Sequence, residues 1–587
     1  MLSWDVRIIR GRPMPSPDYD SGWAGMTSMT RLVTGPGWVY KSAPRASLPQ
    51  QKMPGTTSIT LDKATFKGTV TVPTGLFIGG QWVDPVEPDT IDITNPSTGE
   101  TIAKVSLGSK KDVDIAVKAA HKAYKSSWGL KVPGYQRGKL LLRLADLIER
   151  DADQLAALET VNVGKPFPVA KAADVMGSVR CIRYFGGWAD KIEGKVIETD
   201  ENKFAYTRHE PFGVVGQIIP WNFPLLMLSW KVGPALATGN CIVLKPSEMT
   251  PLSALKFAEL CVEAGFPPGV VNIVNGYGIT VGAAIAEHMD IHKVAFTGST
   301  LVGRKVLEAA ARTNLKVVTL ELGGKSPSIV FDDCDFEQTV KWVTQAMYAN
   351  MGILSASTTY LFRSRSPQAS RVSPAPVSSF RRASTTSSSL PIARPSRHWE
   401  TPPATRSTTL RSMGLRHVPT VPHRRRSLTP PQVSQTQFDR IMGFIDSGKA
   451  DGATVHLGGE RHGSEGFFIQ PTIFTDVKPE MTIAKEEIFG PVTTIMKFTT
   501  EEDVIAQAND TVYGLASYVY SDNVKRALRV AHALEAGSAF VNTGQTTDPA
   551  IPFGGYKQSG IGREHGEYAL DTYTQVKGIH VNLGVTL

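Results

Sequence analysis

The sequence predicts an α/β protein with a mostly parallel sheet covered by helices on both faces. Two observations favour this class. Short runs rich in Val and Ile alternate with stretches of helix length, which is typical of βαβ units. The 587 residues are 41% apolar and 20% charged, so the chain can bury a large core and is not wholly disordered, collagen-like or a disulfide scaffold. The β-rich runs are VVGQII, NCIVLK, VVNIVN, KVAFTG and KVVTLEL.

Residues 1–60 lack hydrophobic periodicity and are rich in Gly, Pro, Ser and Thr. No acidic residue occurs from Ser21 to Leu61, a composition typical of a mitochondrial transit peptide. Three aspartates come earlier, however, and prolines interrupt any amphipathic helix. We expect a disordered, targeting or wrongly assigned N-terminus outside the fold. We also expect a cytoplasmic protein, with the mitochondrial matrix as the alternative.

The folded part is predicted to begin with a short strand pair, LFIGGQWVDP, and to continue into helices. Apolar residues recur at helical spacing from Val113 to Ser127 and from Gln136 to Leu158. Both patterns indicate helices that bury one face in the core.

The regular pattern ends at Ile353 and resumes near Gln432. Residues 353–430 contain 13 Arg, 16 Ser, 10 Thr and 10 Pro, with no Lys and a single acidic residue. Such a segment cannot bury enough apolar surface to offset its ordering entropy, so the sequence predicts a disordered insertion. An amphipathic helix, further strands and a closing C-terminal strand are predicted after it.

The net charge of +9 is concentrated in two segments. Residues 353–430 carry +12 and the first 52 residues carry +4, which leaves −7 on the other 457 residues. A basic surface on the fold would have indicated nucleic acid or a membrane as partner. Because the excess lies outside the fold, we expect neither partner.

The four cysteines show no CxxC pairing and are too few for a disulfide framework or a zinc cluster, which indicates a reducing compartment and no metal site. They are Cys181, Cys241, Cys261 and Cys334. The longest charge-free apolar stretch, Val214 to Trp230, contains two prolines and is marginal in length for a bilayer. We therefore interpret it as buried core.

Six motifs occur in a fixed order along the chain. They are PWNFPL (220–225), LKPSE (244–248), FTGSTLVG (296–303), LELGGKSP (320–327), EEIFGP (486–491) and PFGGYKQSGIGRE (552–564). Together they resemble the NAD(P)-dependent aldehyde dehydrogenase superfamily. The resemblance covers roughly Leu76 to Met351 and Gln432 to Leu587.

The motifs predict a dinucleotide site. FTGSTLVG follows a strand and opens a helix, so Gly298 permits a tight turn and Ser299 lies where helix N–H groups can meet a pyrophosphate. The resemblance implies that Lys245 and Glu248 hold the adenosine ribose. Glu248 would repel a 2′-phosphate, so NAD is favoured and NADP stays possible. As alternatives, FTGSTLVG could be a helix cap whose glycines serve packing, and Lys245 and Glu248 could form a surface ion pair. The resemblance implies the further cofactor residues Trp221, Gly278, Gly282, Gly303, Leu322, Glu487 and Phe489.

The resemblance also implies the catalytic residues. Asn222 matches the amide that donates to the oxyanion formed when a thiolate adds to an aldehyde. Glu321 matches the general base that activates water to hydrolyse the thioester, a task that a carboxyl of raised pKa performs well. As alternatives, Asn222 could serve only to form a turn, and Glu321 could be a solvated acid at the end of a strand. Phe223, Trp230 and Phe553 would line the aldehyde tunnel, or else belong to the core.

The nucleophile of this superfamily is missing. Its members carry a cysteine in a GQ-x-C context, but here Gly352 is followed by Ile353, Leu354 and Ser355. Counting from Gly352 puts Ser355 in the cysteine position, whereas matching the Ser-Ala run puts Leu354 there. Because a thiolate is accessible near neutral pH and a serine alkoxide is not, the chain as written is expected not to oxidise aldehydes.

Two explanations for the altered segment are open. The coding frame could be lost between Ile353 and about Pro430, which would explain the sudden Arg/Ser/Pro/Thr bias. The segment could instead be real, in an NAD-binding pseudoenzyme or, less favoured, in a basic nucleic-acid-binding module. The nucleic-acid-binding module is less favoured because the segment has few aromatic residues, and they are isolated, whereas nucleic-acid binding commonly uses aromatic side chains on which bases stack.

The resemblance implies three structural units. A Rossmann-type coenzyme domain comprises 61–190 and 212–323, and an α/β catalytic domain comprises 324–560, interrupted by the insertion. Residues 191–211 and 573–587 would form a small oligomerisation arm. A homodimer or homotetramer that oxidises a small aldehyde to a carboxylic acid is the implied protein.

Overall fold

The structure is a computed structural model that describes residues 55–352, 360–364 and 430–586. The predictions for residues 1–54, for Leu354 and Ser355, and for most of the insertion lie outside the described residues.

The strands of the described ranges alternate with helices along most of the chain. In chain order, the first eleven strands of the described ranges are β1 (Thr56–Lys63), β2 (Phe66–Pro73), β3 (Leu76–Ile78), β4 (Gln81–Val83), β5 (Thr90–Thr94), β6 (Thr101–Ser106), β7 (Val196–Ile197), β8 (Lys203–Pro211), β9 (Val214–Ile218), β10 (Cys241–Lys245) and β11 (Val271–Ile273). The later strands are β12 (Lys293–Thr297), β13 (Val317–Glu321), β14 (Pro327–Val330), β15 (Tyr360–Ser364), β16 (Thr454–Leu457), β17 (Thr472–Thr475), β18 (Val492–Phe498), β19 (Ala516–Tyr520), β20 (Ser538–Val541), β21 (Gly560–Ile561) and β22 (Thr574–Asn582). The α-helices are α1 (Lys110–Ser126), α2 (Gly134–Arg150), α3 (Ala152–Val163), α4 (Phe167–Val169), α5 (Met176–Trp188), α6 (Pro224–Ala237), α7 (Leu252–Ala264), α8 (Ala283–Glu287), α9 (Thr300–Arg312), α10 (Phe336–Tyr348), α11 (Gln435–Ala450), α12 (Thr482–Lys485), α13 (Glu501–Asn509), α14 (Val524–Ala533) and α15 (Tyr568–Asp571).

The first large sheet has the strand order of a dinucleotide-binding fold. Its order is β21-β13-β12-β9-β10-β11-β3-β4, and β9 to β13 run parallel to their neighbours within this set. Every residue of β9 and β10 is buried, as expected where helices cover both faces of a sheet. If the five parallel strands β9 to β13 are numbered 1 to 5 in chain order, their order across the sheet is 3-2-1-4-5. The direction of winding therefore reverses between β9 and β12.

The helical pattern from Gln136 to Leu158 is two helices rather than one. Helix α2 ends at Arg150 and α3 begins at Ala152, with Asp151 as the shared cap between them. The Asp151 carboxylate accepts from the Arg150 guanidinium at 2.8 Å. Apolar periodicity continues across this break because both helices pack on the same core, so the sequence pattern conceals it.

The second large sheet corrects the prediction of a disordered insertion over 353–430. Its order is β16-β17-β18-β15-β14-β19-β20, and β15 pairs in parallel with both β14 and β18. Strand β15 consists of Tyr360–Ser364, so the prediction is wrong for these five residues. Composition averaged over the whole segment concealed one short run, YLF, whose aromatic and apolar residues favour a strand.

The first residues of the fold lie earlier than expected. The hairpin of β1 and β2 pairs Thr56 with Pro73 at its open end, so residues 55–60 belong to the fold and not to the N-terminal segment 1–60. Ile59, Val70 and Val72 are buried and alternate with exposed hydroxyl residues. This short alternation was concealed by the polar composition around it.

A third sheet, of order β22-β8-β7, lies in the segments 191–211 and 573–587. Strands β22 and β8 pair antiparallel from Thr574 with Pro211 to Asn582 with Lys203. The sheet exposes the apolar side chains of Val196, Phe204 and Val576. Its role as an oligomerisation arm stays a prediction.

Replacement of Ile329 by Ala tests the second sheet. Ile329 lies in β14, is fully buried and belongs to the apolar cluster of that sheet, so I329A should lower the free energy of unfolding by about 2–5 kcal/mol. Urea unfolding followed by tryptophan fluorescence measures this change. V524A, at a position 58% exposed, is the matched control. Equal midpoints for the two variants would contradict the buried position of β14.

Candidate active site

The candidate site lies at one edge of the first sheet. The strand register aligns Lys245 with Ile218, Ile218 with Phe296, and Thr297 with Glu321. The carboxyl ends of β10, β9, β12 and β13 therefore meet at this edge. Open α/β sheets bind ligands at this edge, at the point where the winding reverses. Residues from four separate sequence motifs are brought together here.

Asn222 lies in the segment between β9 and α6 and is buried. The side-chain amide of Asn350 donates to the Asn222 carbonyl oxygen at 3.0 Å. Asn350 has a left-handed backbone with φ 51°, a conformation that asparagine tolerates better than most residues. Sequence analysis missed this contact. The available signal was an asparagine just past a helix C-terminus, where left-handed residues are common.

Glu321 ends β13 and is buried. Burial, and then the nearby Glu564 carboxylate, hold the pKa of Glu321 well above its usual value. Its Oε2 atom accepts no hydrogen bond from any described residue. A Cβ atom at Gly554 would lie 2.8 Å from Glu321 Oε1, so the glycine at this position makes room for the carboxyl group. Burial therefore disfavours the ionised form of this carboxyl group.

A buried ion pair joins Lys231 to Glu564, and sequence analysis missed both residues. Lys231 Nζ contacts Glu564 Oε1 and donates to Thr297 Oγ1 at 2.6 Å. Glu564 is held in place by its backbone, which exchanges two hydrogen bonds of 2.7 Å with Phe553. The signal for Lys231 was a lone lysine within the apolar sequence of α6. Fully buried lysines are almost always paired.

Two of the aromatic residues predicted for the aldehyde tunnel adjoin this ion pair, because Trp230 precedes Lys231 and Phe553 is hydrogen-bonded to the backbone of Glu564. The rings of Trp230 and Phe553 meet edge to face with centroids 5.4 Å apart. The ring of Phe223 lies 3.8 Å from Lys165 Nζ. The tunnel assignment itself stays a prediction.

The predicted ribose residues, Lys245 and Glu248, contact each other. Lys245 Nζ donates to Glu248 Oε2 at 3.1 Å and to the Pro246 carbonyl at 2.8 Å. Burial lowers the pKa of Lys245. A Cβ at Gly282 would lie 3.6 Å from the Lys245 stem, and Gly278–Gly282 form a π-helical turn. The structure thus brings this turn next to Lys245.

The predicted pyrophosphate residues surround the start of α9. Ser299 caps this helix, and its hydroxyl accepts from the Val302 N–H at 3.4 Å. Gly298 donates its N–H to the Glu321 carbonyl at 3.0 Å. A Cβ at Gly303 would lie 2.6 Å from the Leu322 side chain, so Gly303 permits close packing between α9 and the segment after β13. Helix N-termini of this kind attract anions.

Trp221, Phe489 and Glu487 are the remaining predicted cofactor residues. The rings of Trp221 and Phe489 are perpendicular, with centroids 5.3 Å apart, and both pack against Val163. Phe489 has φ 59°, which is an outlier for a bulky residue and marks a constrained backbone. Glu487 Oε1 accepts from the Gly324 N–H at 3.1 Å, just past the end of β13.

Three of the four cysteines are buried, and Cys181 lies beside the Lys231–Glu564 pair, because its thiol donates to the carbonyl of Ser229 in α6 at 3.5 Å. Burial raises the pKa of Cys181, Cys241 and Cys261, which suppresses the thiolate. Cys334 is half-buried and follows the carboxyl end of β14, whereas the Glu321 segment precedes that strand. Burial also raises the pKa of Cys334. None of the four cysteines follows Gly352 in the sequence, and burial disfavours the thiolate form of each.

The described ranges hold no group of three or more His, Cys, Asp or Glu side chains arranged for a metal ion. Within the same ranges, no helix has both the length and the apolar character needed to cross a bilayer.

The chain matches known proteins over most of its length. The family model for the aldehyde dehydrogenase family matches residues 82–371 and 418–579. An aldehyde dehydrogenase of Agaricus bisporus is 54% identical over 523 residues, which is 89% of this chain and 97% of the relative. The family model includes β15 and leaves out residues 372–417 between its two matched ranges.

Solved structures match the fold. The NAD+ complex of an aldehyde dehydrogenase from Bacillus cereus has a TM-score of 0.77 and 42% identity, and covers 87% of this chain and 97% of its own. A cysteine-to-alanine mutant of an indole-3-acetaldehyde dehydrogenase from P. syringae, in complex with NAD+ and IAA, has a TM-score of 0.78 and 36% identity. It covers 88% of this chain and 97% of its own.

Replacement of Lys231 by Met tests the buried ion pair. The variant leaves the Glu564 carboxylate buried without its partner, so K231M should lower the free energy of unfolding by about 3–5 kcal/mol. The control is K191M, which breaks a pair with Asp190 that is more than half exposed and should cost about 0–1 kcal/mol. Chemical denaturation measures both. A K231M midpoint equal to that of K191M would rule out a buried pair.

Proposed function

The chain belongs to the aldehyde dehydrogenase family, and on that premise we propose that its site is built to oxidise a small aldehyde to a carboxylic acid with NAD as the hydride acceptor. The observation that carries the proposal is the convergence of Asn222 and Glu321 at the switch point, beside the buried Lys231–Glu564 pair. The NAD+ complexes of the two related structures support the choice of cofactor.

The residues at the sheet edge fit a dinucleotide. Lys245 and Glu248 place an ammonium and a carboxylate at the carboxyl end of β10, where ribose hydroxyls can replace their mutual contact. The N-terminus of α9, capped by Ser299, favours the negative charge of a pyrophosphate. When bound, NAD supplies an acceptor for the hydride that leaves the aldehyde carbon. Glu487 and Phe489 would orient the nicotinamide half of the bound NAD.

Two groups of this chain would act on the aldehyde. The Asn222 amide would donate to the carbonyl oxygen as negative charge develops there, and one such donor contributes about 2.7–4 kcal/mol to transition-state stabilisation. Glu321 would take a proton from the water that hydrolyses the acyl group. Because burial raises its pKa, Glu321 holds a proton at low pH and acts as a base only as the pH rises.

The chain as written lacks the thiolate that the proposed reaction needs. In that reaction a cysteine adds to the aldehyde, and the adduct passes to a thioester after hydride transfer. Here the position is Leu354 or Ser355, and none of the four cysteines lies at it. We therefore propose that this chain binds NAD and aldehyde without oxidising the aldehyde. The related mutant that lacks a cysteine and carries NAD+ and IAA supports binding without the nucleophile.

The alternative functions differ in what they predict. A pseudoenzyme with a regulatory role needs the same NAD site and no turnover. A nucleic-acid-binding module would rest on the arginines of 353–430, because the chain outside that segment and the first 52 residues carries a net charge of −7, and we do not favour it. Assembly through the β22-β8-β7 sheet into a homodimer or homotetramer, and a cytoplasmic rather than mitochondrial location, remain parts of the proposal.

The expressed chain should produce no NADH from NAD and acetaldehyde or a longer aldehyde, because no thiolate is present to form the adduct. Absorbance of NADH measures this directly, and calorimetric titration with NAD checks that the cofactor still binds. Steady NADH production by the unmodified chain would refute the proposal. Absence of NAD binding would refute the pseudoenzyme alternative as well.

Introduction of a cysteine should restore activity. L354C and S355C each place a thiol at one of the two candidate positions, and one of them should form NADH at a rate that rises with pH as Glu321 loses its proton. Adding E321Q to the active variant should leave a single burst of NADH with little steady turnover. If neither cysteine variant forms NADH while both bind NAD, the assignment of the nucleophile position is wrong.

Glu248 should select NAD against NADP. Its carboxylate accepts ribose hydroxyls but repels a 2′-phosphate, so the chain should bind NAD at least about tenfold more tightly than NADP. E248Q should narrow this ratio, and calorimetry with each dinucleotide measures it. As a control, E259Q alters an α7 carboxylate that pairs with Lys256 and should leave the ratio unchanged.

A further inference from the structure

Three charged side chains are completely buried behind the Asn222 segment. Glu159 belongs to α3, Lys165 follows the Gly164 cap of that helix, and Asp174 lies in the π-helical turn Ala170–Val175. Lys165 Nζ is ion-paired with Asp174 and lies 4.0 Å from Glu159 Oε2. All three side chains are 0% exposed. We refer to them as the buried triad.

The buried triad contacts the Asn222 segment at two points. The ammonium of Lys165 lies over the ring of Phe223, 3.8 Å from its centroid. Glu159 Oε1 accepts from the backbone N–H of Leu225 at 3.3 Å. Leu225 belongs to the first turn of α6, where backbone N–H groups have no partner within the helix. The triad therefore holds Phe223, which follows Asn222, and the first turn of α6.

The charges of the triad compensate each other only if one carboxyl group keeps its proton. Burial, and then the Asp174 carboxylate, raise the pKa of Glu159, while Lys165 opposes this shift. Ser253 also hydrogen-bonds to Glu159. A neutral Glu159 beside a Lys165–Asp174 ion pair leaves no net buried charge. Glu159 can then accept from Leu225 without an uncompensated negative charge in the core.

Stability alone does not explain the triad. Buried ion pairs contribute little to stability compared with well-packed apolar residues of the same volume. In this protein the buried triad lies against the segment that carries the proposed oxyanion donor, Asn222. Asp174 of the triad lies in a π-helical turn, a feature frequent at functional sites. Asn350 also holds this segment, because its side-chain amide donates to the Asn222 carbonyl.

We propose that Glu159, Lys165 and Asp174 are positioning residues that fix the Asn222 amide and the Phe223 ring against the aldehyde. The inference rests on the proposed function, because it requires that Asn222 donate to the aldehyde oxygen. Loss of the triad should free this segment while the NAD residues at β10 and α9 keep their places.

A chromophoric aldehyde tests the proposal in the chain as it exists. The absorption of p-dimethylaminocinnamaldehyde moves to longer wavelength when its carbonyl oxygen accepts a strong hydrogen bond, and no nucleophile is needed. The full chain with saturating NAD should show this shift, and N222A should abolish it. NAD affinity, measured separately by calorimetry, reports whether each variant is folded.

The variants separate positioning from general stability. E159L removes the acceptor for Leu225, and K165M removes the ammonium over Phe223. Each should weaken binding of the probe by about tenfold or abolish its spectral shift, with NAD affinity changed less than about twofold. E159Q keeps a neutral acceptor and should preserve the shift. D153N is the control on the same helix, because it breaks an exposed pair with Lys171.

Each outcome decides a different claim. If E159L or K165M binds NAD normally and keeps the full spectral shift, the positioning role is refuted. If E159L does not bind NAD, K165M decides in its place, and loss of the shift in E159Q would contradict a neutral Glu159. Absence of a shift in the unmodified chain would refute the proposed role of Asn222, and with it the premise of this inference.

Discussion

The ion pair between Lys231 and Glu564 is the interaction on which the candidate site depends. Lys231 belongs to α6, which begins directly after the Asn222 segment, and Glu564 is bridged by its backbone to Phe553. The pair therefore links the first sheet to the last sequence motif of the chain. It also compensates one of two carboxylates near Gly554. Without Lys231, Glu564 and Glu321 would bring two like charges into a region shielded from water.

Exclusion of water gives the ionisable groups of this region their unusual properties. Burial raises the pKa of Glu321 at the carboxyl end of β13 and lowers that of Lys245 at the carboxyl end of β10. The buried triad behind Asn222 follows the same rule, because three charged groups are accommodated only in a combination without net charge. Shifted ionisable groups that cluster at one sheet edge are typical of a functional site. We propose that the chain lacks the adduct-forming thiolate, because neither Leu354 nor Ser355 can supply one.

Much of the fold was predictable from the sequence, because helical periodicity and βαβ alternation depend on local patterns. The helix break at Asp151 was not, since the apolar stripe continues through it. Strand β15 was concealed because the composition of its surroundings dominated the average. Motifs indicated Asn222 and Glu321, but the contact of Asn350 with Asn222 and the ion pair of Lys231 with Glu564 arise only through tertiary packing. A buried lysine in an apolar helix was the strongest signal left unused.

The central claim is that this site binds NAD and an aldehyde but forms no covalent adduct. A crystal structure of the full chain with NAD and a saturating aldehyde tests it most directly. The account predicts an unmodified aldehyde whose oxygen lies about 2.7–3.2 Å from the Asn222 amide nitrogen, with Glu321 facing the same cavity. A covalent bond between the aldehyde carbon and any side chain, or an aldehyde bound away from Asn222, would contradict it.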